Sequence, residues 1–296
     1  MKRGRQSQSN GISVSEACFN DLHRHNAITE EIWMPKEKGN QAGVILIDKN
    51  FKKTYVKRYE SQDYNNNELT DLVIFMLAKS CGVRVPAVRL VYTAEYAYLF
   101  SADMNGTKSE IKNYTYQDLD KWEHSDFDMS TYGQGFFTNK KENFHIDKIA
   151  TAGLLILSVV LNLTDLSNAN LGIVLSEKPV QRKAKIALID FCCRDKTTLS
   201  GDYADSLKAF ILERVRSKNT YLFELGKTLS DSSYYLAFEK IVANFMPSLD
   251  VALHIINAST NTIKQKDALA NLTFWQKNLG SLLGLVDYSK QPTAFV

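Results

Sequence analysis

Cysteine is scarce in this chain, and none of it is spaced for a pair. The four cysteines among 296 residues, Cys18, Cys81, Cys192 and Cys193, form no CxxC motif, and the two adjacent ones are poorly placed for an unstrained bridge. A disulfide-stapled scaffold is thereby excluded, and a reducing, cytoplasmic setting is expected. Histidine is equally thin. Only His23 and His25 of the five lie close together, with no neighbouring cysteine and no HExxH frame, so no structural zinc site is expected. The strongest apolar run, Gly153 to Leu163, falls well short of the roughly 20 residues of a transmembrane helix and reads as a buried core helix. The basic start MKRGRQSQSNG leads into polar residues rather than the apolar segment of a secretory signal. A net charge of +3 with a pI near 8.5 is too mild to imply nucleic acid binding. No internal repeat occurs, and no low-complexity segment beyond the NNN ending at Asn67.

What remains is ordinary globular composition, 44% hydrophobic and 23% charged, on a chain long enough for two lobes or two small domains. Residues 1–38 read as a polar leader, partly helical. From Gly43 the pattern turns to strands: GVILID, the turn residues Asp48, Lys49 and Asn50, then KTYVKRY, a hairpin. After the polar stretch 60–67, with Asn67 as N-cap, Leu69, Leu72, Val73, Met76 and Leu77 recur at helical spacing until Cys81 and Gly82. VPAVRLVY and AEYAYLF then give two further strands, so the first hundred residues read β-β-α-β-β. Residues 107–145 are polar and aromatic without a period, a surface insert or a substrate lid. Beyond them the chain turns helical: 146–163, then stretches near 203–217, 218–228, 233–246, 248–258 and 262–285, interrupted by the strand-like LGIVL and KIALIDF.

Three short pieces carry chemistry. Asp165 and Asn170 lie five positions apart on a loop after the apolar helix, where an acid could address a hydroxyl and an amide oxygen a metal ion. Ordinary turn chemistry explains the same residues. Asp190 ends an apolar strand, as a carboxylate serving a metal–triphosphate would, and as many solvated turn aspartates do. Lys57 on a strand and Glu68 at the start of the next helix can pair so that the ammonium is held for phosphate. A surface lysine and a helix-start glutamate favoured by the macrodipole read the same way. Singly, each piece reads as structure. In order, they become a site.

That order, from strand lysine through helix glutamate, strand pair, apolar helix, D-x-x-x-x-N loop and strand to Asp190-Phe191, resembles the protein-kinase-like superfamily over about residues 39–195. The stretch NELTDLVIFMLAKSCGVRVPAVRL is similar to the branch containing HipA-type kinases and type II phosphatidylinositol 4-kinases. Similar divergent kinases occur among secreted effectors of intracellular bacterial pathogens, which would work in a host cytosol. The resemblance implies a two-lobed α+β fold, with a small β-rich N-lobe at 39–105 carrying one helix and a larger, mostly helical C-lobe at 106–296. It implies ATP and Mg²⁺ or Mn²⁺ as cofactors, with Lys57 and Glu68 at the phosphates, Asp165 as catalytic acid of the loop, and Asn170 and Asp190 on the metal. The sequence departs from the pattern in places. The Gly-rich loop is reduced to Gly39 and Gly43, no His-Arg precedes Asp165, Cys192 replaces the Gly of D-F-G, and no Ala-Pro-Glu follows.

The expected activity is transfer of the γ-phosphoryl group to a protein hydroxyl, on Ser or Thr rather than Tyr. Phosphoinositide phosphorylation and nucleotide transfer onto protein stand beside it. So does a catalytically silent module that binds a polyanion such as an inositol polyphosphate through Gln181–Lys185 and Arg214–Lys218, residues that a solvated basic face explains as well. Ser101 to Asn105 read as a hinge, and Thr197, Thr198 and Ser200 as candidate autophosphorylation sites.

Overall fold

The computed structural model describes residues 13–36, 41–60, 67–104, 114–118, 136–139, 142–167, 170–176, 183–193, 199 and 206–286. The readings that fall on Gly39, Asn105, Gln181 and Arg182, Thr197, Thr198 and Ser200, and on most of 107–145, lie outside the described residues. By its contacts the chain divides into two units, Met1–Glu68 with Pro86–Thr107 and Leu69–Val85 with Lys108–Val296.

The first unit is an antiparallel sheet of β1 (Ile32–Pro35), β2 (Gly43–Ile47), β3 (Lys53–Glu60), β4 (Val88–Tyr92) and β5 (Tyr96–Ala102), in the order β1-β2-β3-β5-β4. The expected hairpin is β2–β3. Its turn is tied by Asp48 Oδ1, which accepts the amides of Lys52 and Asn50, both at 2.8 Å, and these bonds hold the Asp48 carboxyl below its ordinary range. Edge strand β1 is not announced by the sequence. Ser101 and Ala102 complete β5, and Asp103 donates its amide to Lys53 O at 3.0 Å.

A helix within the stretch read as leader, α1 (Val14–Arg24), completes this unit's core. It begins on the N-cap Ser13, whose Oγ accepts from Glu16 N at 3.1 Å. Its Cys18 and Leu22 pack with Val44, Leu46, Val56, Tyr98 and Phe100. One polar anchor crosses that apolar layer. The buried carboxylate of Asp21 accepts from Tyr98 Oη at 2.8 Å and from Thr93 Oγ1 at 2.9 Å, satisfying groups that would be costly to leave unpaired. Because strand side chains alternate, Val56 under α1 puts Lys57 on the opposite face of the sheet.

In the second unit, α3 (Lys148–Val160) is buried from Ala150 to Val160. Asp147 starts it, accepting from Ala150 N at 2.9 Å. Around it pack α4 (Leu207–Arg216), α5 (Thr220–Lys227), α6 (Asp231–Asn257) and α7 (Thr262–Leu283). The two helices expected at 233–246 and 248–258 are one, α6, running through Pro247. Pro247 and Ala243, whose carbonyl loses its donor, both face solvent, so the lost bond is not a buried one.

A second sheet holds β6 (Tyr114–Asp118), β7 (Phe136–Asn139), β8 (Glu142–Ile146), β9 (Leu171–Ser176) and β10 (Lys183–Leu188), in the order β6-β9-β10-β8-β7. The two strands read from LGIVL and KIALIDF are β9 and β10, and α3 packs against β10. Helix α2 (Glu68–Ser80) gives all but its first residue to this unit. Thr70 on it accepts from Asn271 Nδ2 of α7 at 3.0 Å. The chain leaving α2 joins β10, Arg84 N donating to Ile186 O at 3.1 Å and Leu188 N to Arg84 O at 2.9 Å. The fold is thus α+β, with a small β-rich unit and a larger, mostly helical one. No helix among the described residues is long and apolar enough to cross a membrane.

Candidate active site

The loop after α3 has an unusual backbone. Asn162 and Asp165 take φ values of 48° and 56°, the left-handed region that Asn and Asp tolerate better than other residues bearing a Cβ. Such a conformation persists where the surroundings fix it, and here they do. Thr164 is bridged to Cys192 through both backbone groups, at 2.7 and 2.9 Å, and Asp165 O accepts from Asn170 Nδ2 at 2.6 Å. Leu163 and Leu166 are buried on either side, which leaves the Asp165 carboxylate exposed between two anchors.

The same bonds join the loop to the end of β10. Asn170 O accepts from Ile189 N at 2.9 Å and from Asp190 N at 3.4 Å. Asp190 Oδ1 then accepts from Phe191 N at 2.8 Å, which orients the half-buried carboxylate. Asp165, Asn170 and Asp190 are therefore brought together, by backbone bonds more than by their own side chains. Cys192 lies in an extended bridge that any residue adopts, so this position does not require glycine.

Lys57, Glu68 and Gly43 belong to the first unit. Lys57 faces Gly43 of β2 and Leu99 of β5 in register. A Cβ on Gly43 would lie 2.0 Å from Val56 O, so glycine is required there by the close approach of β2 to β3. The connection between β1 and β2, which contains Gly39, is closed at its base by Lys36 Nζ donating to Gln41 O at 3.0 Å. Gln41 Nε2 in turn donates to Arg58 O at 3.1 Å. Glu68 is a buried residue at the first position of α2.

Three of the basic residues named from the sequence are engaged within the second unit. Lys185 pairs with Asp147 at 3.3 Å, the Arg214 guanidinium lies 3.4 Å from the Phe210 ring centroid, and Lys218 donates to Ser158 O, Asn162 Oδ1 and Leu163 O. Asn219, beside Lys218, donates its Nδ2 to Leu166 O. These holds on the loop are not legible in the sequence, because apart from Asn162 Oδ1 the acceptors are backbone carbonyls, which leave no trace in residue type.

Mg²⁺ prefers oxygen ligands, commonly one or two carboxylates completed by substrate phosphates. The Asp190 carboxylate and the amide oxygen of Asn170, whose NH₂ is already committed to Asp165, are groups of that kind on one stitched loop, so the residues fit such an ion. Among the described residues no three His, Cys, Asp or Glu side chains group to hold a metal by themselves.

No family model matches this chain, and no curated protein does. Solved structures similar to it include the proinflammatory kinase CtkA of Helicobacter pylori, at 16% identity over 88% of this chain and 97% of that one, with a TM-score of 0.48. The toxin HipA of Shewanella oneidensis, solved with HipB and operator DNA, is similar at 12% identity over 96% and 75%, with a TM-score of 0.48. The Golgi casein kinase with Mn and ADP bound is similar at 10% identity over 92% and 76%, with a TM-score of 0.44.

Proposed function

We propose that this chain is an atypical kinase that transfers the γ-phosphoryl group of ATP to a protein hydroxyl, on Ser or Thr rather than Tyr. The observation that supports it best is the stitching of Asp165, Asn170 and Asp190 through Asn170, whose Nδ2 bonds Asp165 O and whose carbonyl takes the amides of Ile189 and Asp190. Turn chemistry alone explains one such aspartate. It does not explain an acid, an amide and a second acid tied to one another through a single residue.

Asp165 receives the acceptor hydroxyl and takes its proton as the oxygen attacks the γ-phosphorus; the new O–P bond forms as the bond to ADP breaks. Lys57, fixed by Glu68, neutralises the phosphate oxygens of the substrate. Asn170 and Asp190 would hold a Mg²⁺ or Mn²⁺ ion, which when bound would neutralise charge on the triphosphate. Catalysis by such residues is mainly positioning and charge stabilisation. Gly39 and Gly43 fall where a phosphate loop is expected, with Gly43 also serving the sheet.

The experiment is transfer of label from γ-tagged ATP by the full chain and by Lys57→Ala, Asp165→Ala and Asp190→Ala, offered a protein extract and a lipid panel. Label on protein in the wild type, lost in all three variants, supports the proposal. Label on lipid makes it a phosphoinositide kinase, and label from α-tagged ATP a nucleotidyltransferase. Wild-type turnover in every variant removes the site, and no turnover in the wild type leaves a binding module.

A further inference from the structure

Asp165 is held from two sides. On one side the ties come from Asn170 and Cys192. On the other they come from two adjacent residues at the junction of α4 and α5. Lys218 has three N–H donors and reaches three acceptors: Ser158 O at 2.8 Å, Leu163 O at 2.9 Å and Asn162 Oδ1 at 3.1 Å. Ser158 O, which also accepts from Leu163 N at 2.9 Å, lies in the last turn of α3 and Leu163 O just beyond it, where a cation is favoured. Asn162, like Asp165, has a positive φ. Asn219 divides its amide between two tasks. Its Oδ1 caps α5 by accepting from Leu222 N at 2.8 Å, and its Nδ2 donates to Leu166 O. The two donors therefore grip the chain just before and just after Asp165.

We propose that Lys218 and Asn219 are positioning residues for phosphoryl transfer, fixing the left-handed backbone at Asp165 so that its carboxylate is presented to the acceptor hydroxyl. This assignment rests on the kinase reading of the site. Lys218 in this role is a half-buried clamp on the loop rather than a surface charge for polyanions. A purely structural cap would stabilise the fold and leave the chemistry of folded molecules unchanged, and that difference can be measured.

Lys218→Met removes three donors at similar length. Asn219→Asp keeps the oxygen that caps α5 and removes the N–H that reaches Leu166, so it separates the hold on the loop from the start of the helix, and it decides the matter if Lys218→Met fails to fold. Both are compared with wild type and Lys218→Arg in the full chain, by amide hydrogen exchange across residues 161–167 and by steady-state turnover of ATP. Exchange in the loop should rise in both while β2 and β3 keep their protection. A misplaced Asp165 should lower kcat by roughly 10²-fold, with KM for ATP changed by no more than about twofold, and Lys218→Arg should recover part of the loss. If the wild type transfers phosphate and folded Asn219→Asp keeps both kcat and loop protection, the positioning role is overturned and the kinase reading stands. If the wild type transfers none, the kinase reading falls first and the positioning role falls with it.

Discussion

The ring of Phe75 on α2 meets the ring of Phe191 edge to face, centroids 4.9 Å apart and planes at 61°. Both rings are buried, and the contact joins the helix that opens with Glu68 to the turn that carries Asp190. Truncating either ring removes a large packed surface, so Phe75→Ala and Phe191→Ala should each cost about 3–5 kcal/mol of stability. The double variant should lose less than the sum, because the partners share the contact. Denaturant titrations of the four proteins check this, and strict additivity would mean the rings do not act on one another.

Asp21 tests whether α1 is part of the first unit's working core. Asp21→Ala leaves the buried Tyr98 hydroxyl without its acceptor and should cost about 1–3 kcal/mol. Asp21→Asn keeps an oxygen in place and should cost less. A urea midpoint unmoved in Asp21→Ala would detach the helix from that core.

Cys192 stands where a kinase-like motif has glycine, which invites the idea that restoring glycine improves the enzyme. The extended bridge to Thr164 argues otherwise. Cys192→Gly adds freedom to the unfolded chain without relieving strain, so it should lower stability by about 0.5–1 kcal/mol and bring no gain in kcat. A faster, equally stable Cys192→Gly would show that this segment needs glycine's range.

Burial pushes the Cys193 thiol up to about 12 and the Cys81 thiol up to about 11, from an ordinary 9.0. Below pH 9 both thiols are protonated in folded and unfolded chains alike. Above it the unfolded chain ionises while the folded one does not, so stability falls as pH rises from 9 toward 11 and 12, by up to about 1.4 kcal/mol per pH unit for each thiol. Buried Tyr98 and Tyr234, also shifted upward, add to the loss above their ordinary 10.0. The stability lead of wild type over Cys193→Ala should therefore narrow across that alkaline range, as followed by denaturation at stepped pH. A constant lead would place the thiol in contact with water.

Patterns that depend on a residue's own chemistry were readable before the fold was known. The apolar period of α2, the unbroken apolar run of α3 and the β-branched β9 and β10 announce themselves, and the fivefold spacing of Asp165 and Asn170 is short enough for one loop to bring them into contact. What could not be read depends on partners distant in sequence. Helix α1 shows few apolar residues within polar sequence, and its weight comes from the sheet that Cys18 and Leu22 meet. Strands β6 to β8 mix aromatic and charged residues without a period. Pro247 signals a break that a solvent-facing helix does not need to obey. Lys218 looks like a surface cation because two of its three partners are backbone carbonyls, which every residue has.

The two backbone bonds between Thr164 and Cys192 also bear on which small molecules this protein can accept. A compound that fills space by turning Asp190 and Phe191 over must first undo that bridge and then part Phe191 from Phe75. At about 0.5–1.5 kcal/mol for each backbone bond, before any loss of ring packing, the bridge alone weakens such a compound by roughly 5- to 150-fold relative to one that leaves the segment in place. Screening should accordingly favour ligands shaped to the intact turn.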